Sequence, residues 1–95
     1  MRDDQFGWLS AKAAANLRDH RVSFPEAIKA FRDPFAIERI DDREDYGEER
    51  INLIGVCEGV ILHVTYTERG DFIWIISARR ATRHEQDDYY RENSR

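Results

Sequence analysis

The sequence predicts an α+β domain with two N-terminal helices, a four-stranded antiparallel β-meander and a C-terminal helix. Three observations carry this. Ser23 with Glu26, and Thr82 with Glu85, are capping boxes in which a hydroxyl and a carboxylate three residues apart satisfy the orphan donors of a new helix. The stretch from Phe35 to Arg80 is rich in β-branched and aromatic residues, and turn signals at Glu58-Gly59 and Arg69-Gly70 interrupt it. Before it stands an alanine-rich segment, Ser10 to His20, of strong helix formers.

In chain order, Phe6 and Trp8 make a short apolar start that suits an edge strand. Ser10 is placed to cap a helix running to about His20. Lys12, Asn16 and His20 continue a four-residue spacing from Trp8 and so share one helical stripe. The second helix opens at Ser23 with Pro25 in its first turn, buries Ala27, Ile28 and Phe31, and stops at Asp33-Pro34. Strands follow over Phe35 to Ile40, Ile51 to Cys57, Val60 to Glu68 and Asp71 to Arg80, with an acidic loop around Tyr46-Gly47 after the first. The last helix spans Arg83 to about Arg91. This helix order and meander place the helices together against the sheet.

Ninety-five residues make a single domain, 1–95, with one modest core. At 41% hydrophobic and 36% charged the balance is that of a globular protein. No apolar run approaches the roughly 20 residues of a membrane helix, and Met-Arg-Asp-Asp-Gln does not read as a signal peptide. The single cysteine, Cys57, has no internal disulfide partner and sits in an apolar strand pattern, which suits a core position and a cytoplasmic location. A net charge of −4 argues against nucleic-acid binding by bulk attraction. Charge is nonetheless segregated: Asp41, Asp42, Glu44, Asp45, Glu48 and Glu49 crowd one segment, which reads as solvated surface. Arg69, Arg79, Arg80 and Arg83 crowd another.

Strand parity divides the faces. If Tyr66 pairs with Ile73 or Ile75, then Val60, Leu62, Val64, Tyr66, Ile73, Ile75, Ser77 and Arg79 share the helix-covered face. Ile61, His63, Thr65, Thr67, Phe72, Trp74, Ile76 and Arg80 share the other. Three readings fit that second face: an RNA surface, where bases stack on Trp74 or Phe72 while Arg80 holds phosphate; a protein interface, which favours the same residue types; or packing under a further helix. The run from Phe72 to Glu85 holds its arginines at a rigid strand-to-helix corner, suited to phosphate or carboxylate.

Three separated segments resemble the BrnT toxin family: Phe6-Gly-Trp-Leu-Ser-Ala-Lys-Ala-Ala-Ala-Asn-Leu-Arg-Asp-His20-Arg-Val-Ser-Phe, Thr65-Tyr-Thr-Glu-Arg-Gly-Asp, and Ile75-Ile-Ser-Ala-Arg-Arg-Ala-Thr-Arg with a tyrosine-bearing helix after it. The resemblance covers nearly the whole chain in order and spacing. It implies a RelE-like fold and a ribonuclease toxin of a type II toxin–antitoxin system that inhibits translation. It also implies a BrnA-like antitoxin carrying a DNA-binding ribbon-helix-helix region, in a 2:2 heterotetramer. The chain departs from the family where an acidic pair is common after the tryptophan (here Leu9-Ser10), where glycine is common after the histidine (here Arg21), and where many members carry a basic residue at Trp74.

The implied chemistry is metal-independent RNA cleavage by the substrate's own 2′-hydroxyl. That reaction needs a base, positive charge for the phosphorane and a proton for the leaving oxygen. Arg69, Arg79 and Arg80 are the candidates for the charge, since their guanidinium forks grip phosphate. His63 is the candidate base, against a structural role for a mid-strand histidine. Trp74, Phe72, Lys12 and His20 are the candidate RNA contacts, with a helix C-terminal cation as the plain reading of His20 and a solvated side chain as that of Lys12. No spacing suggests a metal site, and no glycine-rich loop suggests a nucleotide cofactor. A rival reading is a non-catalytic, degenerate subunit that uses the aromatic and arginine face to hold a partner.

Overall fold

A computed structural model describes residues 5–43, 45 and 47–94. Glu44 and Tyr46 of the expected acidic loop, and the N-terminal Met1–Asp4, lie outside the described residues. The order is β1 (Phe6–Gly7), α1 (Ser10–His20), α2 (Phe24–Phe31), β2 (Ile37–Asp41), β3 (Arg50–Cys57), β4 (Val60–Arg69), β5 (Phe72–Arg80) and α3 (Arg83–Glu92). The sheet has five strands in the order β1-β5-β4-β3-β2. The expected meander is present as β2 to β5, but β1 adds to it in parallel, pairing Phe6 with Ile73 and Gly7 with Trp74. The sheet is therefore mixed. The apolar start does form the edge strand that its sequence suggests.

Both capping boxes form, at Ser23–Glu26 and Thr82–Glu85. The first helix differs in detail: Leu9 occupies the N-cap without a side-chain bond, and Ser10 is already helical. Arg21 takes the left-handed C-cap at φ 58°, its N–H donating to the Leu17 carbonyl. A glycine adopts that conformation without the Cβ penalty that arginine carries.

The main core lies between the sheet and the α1–α2 pair, around Val22, Phe24, Ala27, Ala30, Leu53, Leu62, Val64, Tyr66, Ile75 and Ala78. Cys57 is buried in it, as its apolar context predicts. Helix α2 buries Phe24, Ala27 and Ala30 fully, with Ile28 and Phe31 packed beside them. Gly55 makes this close approach possible, because a Cβ there would stand 2.6 Å from the Ala30 carbonyl oxygen.

Helix α3 does not join the other two. It crosses to the opposite face, where Tyr89 packs with Ile54, Ile61 and Ala81 in a second small core. The Tyr89 hydroxyl also donates to Asp33 (2.6 Å) just beyond α2, tying the C-terminal helix back to the first core. The helices thus sandwich the sheet instead of grouping on one side.

Candidate functional site

Register decides which side chains can act together. Tyr66 pairs with Ile75, as expected, but Thr65 pairs with Ser77, so Ile76 has no partner on β4. This β-bulge inverts the parity of everything beyond it. Leu62 lies opposite Arg80, and His63 opposite Arg79. The expected faces are therefore correct up to Ile75 and reversed after it. Arg79, not Arg80, shares the His63 face, while Ala78 and Arg80 turn to the α1–α2 side. Arg80 there lines a cleft with Arg21, Glu26 and Cys57.

Asn16 anchors β5 just beyond the bulge, at Ala78. Its side-chain amide accepts from the Ala78 N–H (3.0 Å) and donates to the Ala78 carbonyl (2.7 Å) and the Val22 carbonyl (2.8 Å). Buried on α1, this one side chain completes the outer edge of β5 where β1 has ended.

On the α3 face, the bulge brings three titratable groups together. Arg79 forms a two-pronged ion pair with Glu85, at 2.8 and 2.9 Å, and donates to the Arg80 carbonyl as well. The same carboxylate caps α3 through the Thr82 N–H (2.9 Å) and lies 3.7 Å from His63 Nε2. The Arg79 guanidinium, with the helix-start bond, holds the Glu85 carboxyl down at about 2. Burial, reinforced by Arg79, pushes the His63 imidazole below its ordinary 6.5, with Glu85 only partly opposing, so it is neutral at neutral pH. His63 is 9% exposed and the Arg79 side chain 36%.

The rest of this face is polar, and its arginines Arg39 and Arg43 are paired with Asp88 and Asp41. Cross-strand pairing lines up Arg39, Asn52, Thr65 and Ser77 in one row, beside the Ile37, Ile54, His63 and Arg79 row. The Thr65 hydroxyl donates to Asn52 (2.8 Å), and the Thr67 hydroxyl to the Glu49 carbonyl (2.7 Å). Arg43 grips the buried Asp41 with two bonds (2.8 and 2.9 Å), holding that carboxyl at about 2. The acidic segment is thus not wholly solvated: Asp41 anchors an arginine above the sheet.

At the β4–β5 end, the Arg69 guanidinium stands 5.0 Å over the Trp74 ring, while Gly7 lets the indole lie against β1. A Cβ at Gly7 would come within 2.7 Å of that ring. Lys12, Arg50, Arg69 and Trp74 line one cleft here, with Glu48 bonded to Arg69 at 3.3 Å. Lys12, Asn16 and His20, the helical stripe, line the neighbouring cleft with Ile76 and Ser77. Phe72 lies half exposed at the strand end opposite Arg69. Of the candidates, His63 and Arg79 meet directly, Arg69 meets Trp74, Lys12 joins the latter pair, and His20 is next to Lys12. Arg80 stands apart. Glu85, Asp41 and Arg43 were missed, because a capping residue and an acidic loop give no sign of what lies across the sheet.

The sequence model of a family described as "Ribonuclease toxin, BrnT, of type II toxin-antitoxin system" matches residues 8–85. The chain belongs to the BrnT family. The match runs from Trp8 through β5 to Glu85, so it takes in Asn16, the bulge and the His63–Arg79–Glu85 group. BrnT proteins are ribonuclease toxins, and a type II system supplies such a toxin with an antitoxin partner. No curated protein matches the chain in sequence.

Proposed function

We propose that this BrnT protein is an endoribonuclease whose cleavage site is the α3 face of the sheet. It works without a metal: the 2′-hydroxyl of the RNA attacks the adjacent phosphate, the P–O5′ bond breaks to leave a 2′,3′-cyclic phosphate, and the departing 5′-oxygen takes a proton from water; the toxicity follows from the resulting block to translation. The observation that carries this reading is the cross-strand pairing of His63 with Arg79. His63, neutral at neutral pH, takes the 2′-hydroxyl proton. Arg79 has five N–H donors, of which three are used within the protein, and the remainder suit a phosphate oxygen as charge develops. Glu85 orients Arg79 and lies 3.7 Å from the His63 ring. Arg69, Trp74, Lys12 and His20 extend the face toward α1, where an RNA strand finds cations beside an aromatic ring. Phe72 prolongs that track. Arg80, across the sheet, has no part in the chemistry. The inhibitor of this activity is a BrnA-type ribbon-helix-helix antitoxin in a 2:2 complex, and the protein acts in the cytoplasm.

The ion pair between Arg79 and Glu85 favours a second reading, in which the guanidinium is structural and the chain is a non-catalytic subunit that only holds its partner. Cleavage of a labelled RNA by purified wild-type protein, in EDTA, separates the two. The first reading expects His63→Gln and Arg79→Ala each to lower the rate by about 100-fold or more, and Arg80→Ala to leave it within a few-fold. The wild-type rate should rise with pH through a value below 6.5 and then level off, and His63→Gln should abolish that rise. Intact RNA with soluble wild-type protein overturns the nuclease reading; full activity in both variants overturns the site alone.

A further inference from the structure

Helix α2 ends at Phe31 and leaves one corner of its own face of the sheet open. Ile40, Ile51 and Tyr66 continue across three strands as directly paired residues, and Phe31 covers only the Tyr66 end of that row, edge to face at 5.0 Å. The result is a groove of about 340 Å³ with Ile40 and Ile51 in its floor and Glu38 and Glu68 on its walls; Arg39 also borders it, but its guanidinium is bound to Asp88 at 3.0 Å. Ile40 is 56% exposed on β2, the edge strand opposite β1. Glu38 accepts a bond from the Tyr66 hydroxyl. Among the described residues, no ion pair involving Glu38 or Glu68 is present.

The charge of the walls selects the occupant. RNA phosphate is repelled by the two carboxylates, which separates this groove from the α3 face, where Arg79 keeps N–H donors for it. A second copy in a two-fold contact would bring the same patch onto itself, with Glu38 and Glu68 facing like charges. A cationic partner meets neither obstacle, and the protein's net charge of −4 draws it in. We propose that the groove docks a basic amphipathic segment of the antitoxin, with one large apolar side chain on Ile40 and Ile51 and flanking Lys or Arg residues meeting Glu68 and Glu38. This rests on the partner reading above and adds its address: the face of the sheet opposite His63 and Arg79, so that docking leaves the catalytic face uncovered by this contact.

The probe is the purified product of the gene adjacent to this chain's own, titrated against wild type, Ile40→Arg, Glu68→Lys and Leu17→Arg. Leu17 is an exposed apolar residue on α1 that does not line the groove, and it controls for surface charge as such. The groove expects each of the first two changes to weaken binding at least tenfold, Leu17→Arg to stay within twofold, and RNA cleavage without the partner to be unchanged in all. It also expects wild-type affinity to fall as salt rises from about 50 to 500 mM, since exposed charge pairs are screened. Equal binding by all four proteins overturns the groove and leaves the antitoxin reading intact. A wild type that does not bind overturns the antitoxin reading, and the groove with it. Sedimentation of the chain alone as a dimer that Ile40→Arg dissolves assigns the groove to a second copy and overturns the proposal.

Discussion

Asn16 shows how much one buried side chain can decide. Its amide serves three backbone groups, two of them on Ala78 just beyond the bulge. Asn16→Ala strands a buried N–H and two carbonyls, and each unsatisfied group costs about 1–3 kcal/mol. The expected loss is about 3 kcal/mol or more in urea unfolding, and a loss below about 1 kcal/mol would show that the clip is incidental. The sequence identified Asn16 as a member of the Lys12–His20 stripe but not its partner, which is 62 residues away. The same holds for Arg79 and Arg80. Their alternation is local, yet which of them reaches His63 depends on Ile76, a β-branched residue with no sequence mark of a bulge.

At the scale of elements, capping chemistry was the most legible signal, because it is satisfied within four residues. Both predicted boxes form, and helices α2 and α3 start where they require. The C-cap of α1 is legible too, and it is strained. Arg21 holds φ 58° where a side chain carries a left-handed penalty of about 1 kcal/mol. Arg21→Gly should relieve it, offset in part by the greater freedom of glycine in the unfolded chain. Its thermal midpoint should rise by a few degrees; a lower midpoint would mean that the arginine side chain contributes more on the cleft with Glu26 than its backbone costs. What the elements could not announce was the parallel pairing of β1, since two residues carry too little pattern to set a direction.

At the scale of the whole molecule, α3 links stability to the site. Its docking places Glu85 between Arg79 and His63, so the folded state is coupled to two titrations. His63 in the fold lies below 6.5, so the unfolded chain takes up the proton first. Its contribution is therefore complete above 6.5 and lost as pH falls through the folded value. Glu85 behaves in the same sense lower down, complete above 4.5 and lost as pH falls through about 2. Urea midpoints should fall from pH 7 to 5.5, and less steeply in His63→Gln. An equally steep fall in that variant would remove His63 from the account. The face on which α3 lands was not legible, because Tyr89 is apolar enough for either core and the residues it packs against, Ile54 and Ile61, are distant in sequence.

What the sequence determined by itself was local: the helix starts, the β2 to β5 meander, the residue types of the site and the family to which they belong. These follow from hydrogen bonds and periodicities that close within a few residues. The tertiary structure alone decided the bulge at Ile76, the side taken by α3, and hence the meeting of His63 with Arg79 while Arg80 faces away. Each involves contacts between distant segments, such as Asn16 with Ala78 and Tyr89 with Ile54, and a one-residue change in register is enough to exchange the two faces of a strand.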